Sequence, residues 1–402
     1  MEKNNGSKKN KILYGSIFGM FILGTVLGFL IPGMFPSISF LGDIYVKLLK
    51  VVVVPLLMAQ VALSIAKAAG TFAGRIARVI GLFVLMFVIT FLLTALIVGI
   101  LKPGDGVTLF DAEEWDGEPA AATLSGFFTS IVSDNIISSM ASNSILPCIL
   151  FAFVFGIALS KVKAEKTISV LEELSKAFTK MLGYFMWFTP VGVFALMGNA
   201  AATYGPKLLG VTAKYVLIAW GMSVLVTILV MILPVWIYAR ISPVAYIKRA
   251  AKVWVITLST CSSAATLPTT IRVCNEEFDV PEDITGIVVP LGCTIHMCGG
   301  AVSFCLLGLF TMQMAGIPVT FGLFLYMLLL ATLINMAAPG IPGGGIVIGA
   351  TYLSILGAPL SFIGVYSGIY RVLDMPYTTL NVTGDITANI LMSEREKRKS
   401  QS

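Results

Sequence analysis

The chain has 402 residues, 57% of them hydrophobic and only 12% charged, with a net charge of +6. A water-soluble domain carries about 25% charged residues, so this composition excludes a water-facing surface all round and gives the class as an all-α polytopic membrane protein. The basic excess reads as membrane topology rather than nucleic-acid affinity, and six cysteines scattered mostly through apolar runs make no disulfide framework.

The polar start MEKNNGSKKNK leads straight into an apolar run with no A-x-A-type cleavage site, so the first span is expected to be retained. A spanning helix needs about 20 apolar residues. By that measure spans are expected at 12–32, 40–66, 77–102, 140–160, 178–202 and 212–239. The next apolar stretches, 253–272, 284–312, 323–356 and 361–392, are interrupted by STCSSAATLP, LGCTIHMCGG, APGIPGGG and YTTLNVTGD. Broken backbone at membrane depth survives only where protein buries it or it lines a wet cavity. The C-terminal part is therefore expected to fold as hairpins and unwound helices around a site, with the first 240 residues as support.

Basic residues set the topology. Lys3, Lys8, Lys9 and Lys11 precede span 1; Lys67, Arg75 and Arg78 follow span 2; Lys161, Lys163, Lys166, Lys176 and Lys180 follow span 4. Arg240, Lys248, Arg249 and Lys252 follow span 6, and Arg395, Lys397, Arg398 and Lys399 end the chain. The stretch PGDGVTLFDAEEWDGEP after span 3 is acidic. Both termini are expected inside the cell, although Lys47 and Lys50 fit this alternation less well. The last span ends inside only if the segments near 254–272 and 330–356 are re-entrant, the first entering from inside and the second from outside. That inverted arrangement is a transporter signature.

Charges inside spans point to function. Asp374, Thr378, Asn381 and Asp385 recur at spacings of four, three and four, which puts them on one helix face. Tyr377 lies beside that face and Thr379 nearly opposite. A wet packing face is the bland reading; the sharper one is a stripe for an ammonium group or a hard cation, both of which suit carboxylates. Arg371, one turn before Asp374, could pair with it. Ser262, Ser263 and Thr266 fall at the first hairpin tip, where hydroxyls and free N–H groups either hold a carboxylate or cap two half-helices. Pro-Gly-Ile-Pro-Gly-Gly-Gly at 339–345 cannot be regular helix and reads as a mobile gate.

With these residues in place, 253–392 resembles the transport core of the glutamate transporter family, the dicarboxylate/amino acid:cation symporters. The matching stretches are SSAATLP, PLGCTIHMCGG, GIPGGG and LDMPYTTLNVTGD; KLLKVVVVPLL and FTPVGVFAL match more loosely. The resemblance implies eight transmembrane helices plus two re-entrant helical hairpins in inverted repeats, an elevator-type fold and a homotrimer. Residues 1–240 would be mainly scaffold, with spans 3 and 6 joining the transport domain; 241–392 would be its core and 393–402 a cytoplasmic tail. It implies that Ser263 contacts the substrate carboxylate, Asp374 its ammonium, and Thr378 and Asn381 its backbone, with Met297, Gly300, Ile341, Gly343 and Tyr377 completing the site. Asp385, Asn381 and the carbonyls of Gly292 and His296 would form one sodium site. Thr294, Met297 and the second hairpin near Asn335 and Met336 would form another, mostly through backbone.

Two departures carry weight. Acidic-substrate members have an arginine where this chain has Tyr377, and a neutral phenol cannot replace a bidentate clamp on a carboxylate. Arg371 lies about 240° around an ideal helix from Tyr377, away from that role. Second, the family's Asn-Met-Asp-Gly-Thr reads His296-Met297-Cys298-Gly299-Gly300 here. A thiol is a poor ligand for sodium, and the supporting positions in span 3 read Phe and Met, so this deep sodium site is expected to be lost. Cys293, His296 and Cys298 could instead suggest zinc, but the set lacks a fourth ligand. Inert packing and a proton-coupling role for His296, the sole histidine, both stay open. A Cys–His enzyme lacks an orienting acid nearby, and nothing resembles a dedicated channel filter. The expected function is a Na⁺-coupled symporter of a small neutral amino acid such as serine, threonine or alanine in a bacterial inner membrane. The alternatives are proton-coupled or cation-independent transport on the same fold, and acidic amino acid symport; no cofactor beyond the coupling ion is expected.

Overall fold

The structure is a computed structural model that describes residues 2–69, 73–105, 129, 131–142, 144–205, 207–335, 343–360 and 362–400. Ile341, Met336 and most of the acidic stretch after span 3 lie outside the described residues. The regular elements among the described residues are all helical. Among the described residues, four stretches are long and apolar enough to cross a membrane: Ala77–Leu101, Glu165–Thr203, Leu209–Ala239 and Glu282–Met314. A further pair, Gly15–Leu30 and Pro32–Leu48, turns through 109° at its junction. Exposed Phe18, Leu96, Leu217 and Val255 face outward where only lipid or another protein can meet them. The chain is an integral membrane protein.

Helices pack in two neighbourhoods. Glu2–Leu30 lies along Thr189–Tyr204, and Phe35–Ala69 packs on Ile145–Lys161, Glu165–Phe185 and Thr189–Tyr204. Close approach is possible because the first pair meets at small residues, as in membrane helix pairs generally. A Cβ on Gly24 would stand 2.7 Å from the Phe194 carbonyl, and one on Gly28 would strike the Gly198 carbonyl and come within 2.7 Å of Ala201. Gly28→Leu is therefore expected to part these helices at a cost of about 1–3 kcal/mol, read as a lower melting temperature of the purified protein in detergent. An unchanged melting temperature would mean that this contact does not hold the pair together.

The second neighbourhood surrounds Phe362–Ser400. This helix touches Pro243–Thr260 and Ser263–Glu276 (the first hairpin), Glu282–Ile295 and Cys298–Met314 (the broken helix), Lys207–Val226, and Gly344–Ile355, one arm of the second hairpin. Ala73–Leu101 packs against Cys298–Met314. The outer arm of the second hairpin is Phe321–Asn335.

Each break has a local cause. The first hairpin turns at Cys261, in the left-handed region at φ 50°, and restarts at Ser262, whose hydroxyl accepts from Ala265 N at 3.2 Å. The broken helix stops at His296 and Met297, both extended, and restarts at Cys298. Lys207–Val226 passes through a π-turn at Thr227–Ile232 just before Pro234, a residue that leaves the carbonyl four back without its helical donor.

The last apolar segment does not break at YTTLNVTGD as expected. Phe362–Ser400 is one helix of 39 residues, running through Pro376 and on through the expected tail. Thr379 and Thr383 send their hydroxyls back to the carbonyls of Met375 and Thr379 at 2.8 and 2.6 Å, so they do not pull the backbone out of the helix. Pro376 cannot donate to Val372, and the freed Val372 carbonyl accepts instead from Trp220 Nε1 at 3.1 Å. A neighbouring helix thus repairs the proline, as the membrane interior requires. The fifth expected span also differs: Glu165–Phe185 and Thr189–Tyr204 are joined by a 3₁₀ turn at Met186–Phe188.

Candidate functional site

The interrupted segments meet on one face of Phe362–Ser400. They close around a cavity of about 50 Å³ lined by Ser263, Met297, Gly300, Asn335, Asp374, Tyr377, Thr378 and Asn381, all expected from the sequence. Gly343 stands at its edge and donates its N–H to Asp374 Oδ2 at 3.3 Å. Thr378 Oγ1 donates to Asp374 Oδ1 at 3.0 Å, one helical turn along. Asn381 Oδ1 accepts from Gly299 N at 2.7 Å and so ties the last helix to the restart of the broken one. Asp374 is buried, and a buried carboxylate needs a donor-rich shell. Its donors, Gly343 N–H, Thr378 Oγ1 and the Tyr370 hydroxyl, are all neutral and leave its negative charge uncompensated by them.

Sequence reasoning missed Cys261, Gly299, Ser303, Phe304, Gly345, Ile348 and Tyr370 in the lining. Tyr370 was legible, since it sits four residues before Asp374 and shares its face. Ser303 was not, because its place follows from how the broken helix restarts; its hydroxyl pairs with Tyr366 at 2.7 Å. No lysine or arginine is among the lining residues. Arg371 points elsewhere: its guanidinium donates to the carbonyls of Ser259 at 2.5 Å and Thr260 at 3.4 Å, closing the C-terminal end of the first hairpin arm. Asn335 Oδ1 is buried without a hydrogen-bond partner among the described residues and presses on Gly300. An orphan of this kind costs about 1–3 kcal/mol, which a bound donor or cation would recover.

At the first hairpin tip the capping reading of Ser262 holds, and Thr266 Oγ1 donates to the Ser263 carbonyl at 2.9 Å. Of these three hydroxyl residues only Ser263 lines the cavity. Thr379, on the far side of the last helix, pairs with Thr257 of the first hairpin at 2.8 Å.

Deeper along the same face lies Asp385. His296 Nδ1 is 3.0 Å from Asp385 Oδ1, and both side chains are buried. Cys298 Sγ is 3.1 Å from His296 Nε2. Phe83 of Ala73–Leu101 stacks on the imidazole at a centroid distance of 4.3 Å and an angle of 8°. Gly292 abuts the Asp385 carboxyl, where a Cβ would overlap it. The Thr294 side chain is exposed and its hydroxyl donates to the Leu291 carbonyl at 2.8 Å, so any part it takes in the second sodium site is through its backbone. Cys293 is buried, but among the described residues no group of three or more His, Cys, Asp or Glu is placed to hold a metal ion.

The sequence matches the family model described as the sodium:dicarboxylate symporter family over residues 13–395. Over 380 residues it is 28% identical to a proton/glutamate-aspartate symporter of Escherichia coli (strain K12), covering 89% of this chain and 85% of the relative. It is 27% identical over 398 residues to a proton/sodium-glutamate symport protein of Geobacillus stearothermophilus, covering 94% and 93%. It is 27% identical over 401 residues to a C4-dicarboxylate transport protein of Sphingopyxis alaskensis, covering 96% and 89%. With its apolar helices and its cavity of membrane-buried polar groups, the chain is a transporter rather than an enzyme, and it belongs to the sodium:dicarboxylate symporter family.

Proposed function

We propose that this protein imports a small amino acid with an uncharged side chain, serine, threonine and alanine among them, driven by a cation gradient. The observation that carries this reading is the charge balance of the cavity: one buried carboxylate, Asp374, and no lysine or arginine among the lining residues. An ammonium group answers Asp374, and a second substrate carboxylate would find no guanidinium to answer it. Ser263, at a helix start, faces the substrate carboxylate. The cavity holds a few waters at most, which suits a carrier and not a water-filled pore. Under this reading the chain is a homotrimer in a bacterial inner membrane with both termini cytoplasmic. Residues 1–240 are mainly scaffold, and 241–392 form the core of a moving transport domain joined by spans 3 and 6. The packing of Phe362–Ser400 on the two hairpins and the broken helix supports that core.

The names of the relatives favour a second reading, in which an acidic amino acid is carried and protons help to drive it. Uptake by proteoliposomes separates the two. Radiolabelled serine, alanine, glutamate and succinate are offered under an inward Na⁺ gradient, an inward H⁺ gradient, or neither. Accumulation of serine or alanine and not of glutamate or succinate is expected. Accumulation of glutamate alone would overturn the neutral reading and leave Asp374 as the ammonium anchor. Accumulation of succinate would remove that role too.

A further inference from the structure

We infer that Asp385 holds no sodium ion in this protein, because His296 occupies the place and the bonds that the ion would take. The inference rests on the transport reading for its meaning, since it concerns which ion drives the cycle, but its geometry stands apart from the substrate cavity.

Three of the oxygens that the resemblance assigns to a sodium site already have partners. Asp385 Oδ1 faces His296 Nδ1 at 3.0 Å. Asn381 Oδ1 accepts from Gly299 N at 2.7 Å. The Gly292 carbonyl accepts from His296 N at 2.9 Å, as the last turn of its helix requires. Each contact is internal to the protein and needs no ion. Both imidazole nitrogens have a partner: in the tautomer protonated at Nδ1 the ring donates to the carboxylate, and Nε2 accepts from the Cys298 thiol at 3.1 Å. A neutral imidazole in that tautomer closes a chain of two bonds from thiol to carboxylate and leaves neither ring nitrogen open.

The space is closed as well. Phe83 covers one face of the ring at 4.3 Å. Gly384 packs so near that a Cβ there would stand 2.5 Å from His296 Cε1. Gly292 presses on the Asp385 carboxyl from another side. Sodium is a hard cation that takes several oxygen ligands. The side chain that meets Asp385 is an imidazole, itself backed by a thiol and a phenyl ring, and nitrogen and sulfur are softer donors than sodium chooses.

The test uses the purified full-length protein in detergent. Its melting temperature is followed as NaCl replaces choline chloride at constant ionic strength, and equilibrium binding of ²²Na⁺ is measured in parallel. Wild type is expected to show no sodium-specific rise and no saturable binding that depends on Asp385. If a rise is seen, Asp385→Asn locates it: a rise that survives belongs to another site and leaves the inference intact, whereas a rise that disappears overturns it. The second arm uses the double substitution His296→Asn and Cys298→Asp, which trades a nitrogen and a sulfur for amide and carboxylate oxygens. This variant is expected to gain a sodium-specific rise of several degrees. If it stays inert while folded, His296 is not what displaces the ion. Should wild type bind no neutral amino acid at all, the neutral-substrate reading falls while the sodium result keeps its meaning.

Discussion

Asp374→Asn is expected to weaken binding of a neutral amino acid by about 100-fold or more, read by calorimetry or by the thermal shift that the amino acid produces. Truncating one partner of a buried, hydrogen-bonded charge pair costs about 2–5 kcal/mol, or roughly 30- to 5,000-fold. The substitution keeps the shape and removes the charge. It also introduces an NH₂ group where Gly343 N–H and Thr378 Oγ1 now donate, so one of these donors meets another donor. Where that donor is Gly343 N–H, the second hairpin loses this bond to the last helix, and the effect reaches the gate as well as the anchor. Binding within about threefold of wild type in the folded variant would place the ammonium elsewhere and end the reading of this cavity as an amino-acid site. Thr378→Val separates the two contributions. It leaves the charge and removes one neutral bond, worth about 1 kcal/mol, so affinity is expected to fall by no more than about tenfold.

Much of the pocket is legible in the sequence because helix periodicity is strict. Asp374, Thr378 and Asn381 have to share a face, and they do. The interruptions at Ser262 and at His296 are legible because Ser, Gly and a hydroxyl-rich tip are poor helix interior. The pairing of His296 with Asp385 is not, since the two are 89 residues apart and only tertiary packing decides which of several polar residues in the last helix faces the break. The continuity of the last helix is hidden for a related reason. Its threonines look like breakers in isolation, and the proline is repaired by Trp220 from a helix about 150 residues earlier. The Thr294 side chain lands on the outer surface because helix phase runs only up to the unwound pair at His296 and Met297. The Gly24-x-x-x-Gly28 spacing, by contrast, is a plain sequence signal for a close helix pair, and the contact with Thr189–Tyr204 is its consequence.

Gly299→Ala is expected to lower the melting temperature and the substrate affinity together. At Gly299 the restart of the broken helix lies directly against the backbone of Phe362–Ser400: a Cβ would come within 2.6 Å of Tyr377 Cα and overlap the Tyr377 carbonyl. These are backbone atoms of a helix already held by other contacts, so they cannot swing aside as a side-chain tip would. Overpacking of this kind costs about 1–3 kcal/mol, and parting the helices also stretches the 2.7 Å bond from Gly299 N to Asn381 Oδ1, worth about 1 kcal/mol more. Because Met297 and Gly300 flank the same point in the cavity lining, affinity for substrate should fall together with melting temperature. Gly286→Ala in the other half of the broken helix is the comparison. Nothing lies within 4 Å of a Cβ there, so the change should be neutral or raise stability by about 0.4–1 kcal/mol through the unfolded chain. Equal melting temperatures for the two variants would mean that the two helices do not meet backbone to backbone at Gly299. The cavity would then need some other contact to hold Met297 and Gly300 against Asp374 and Thr378.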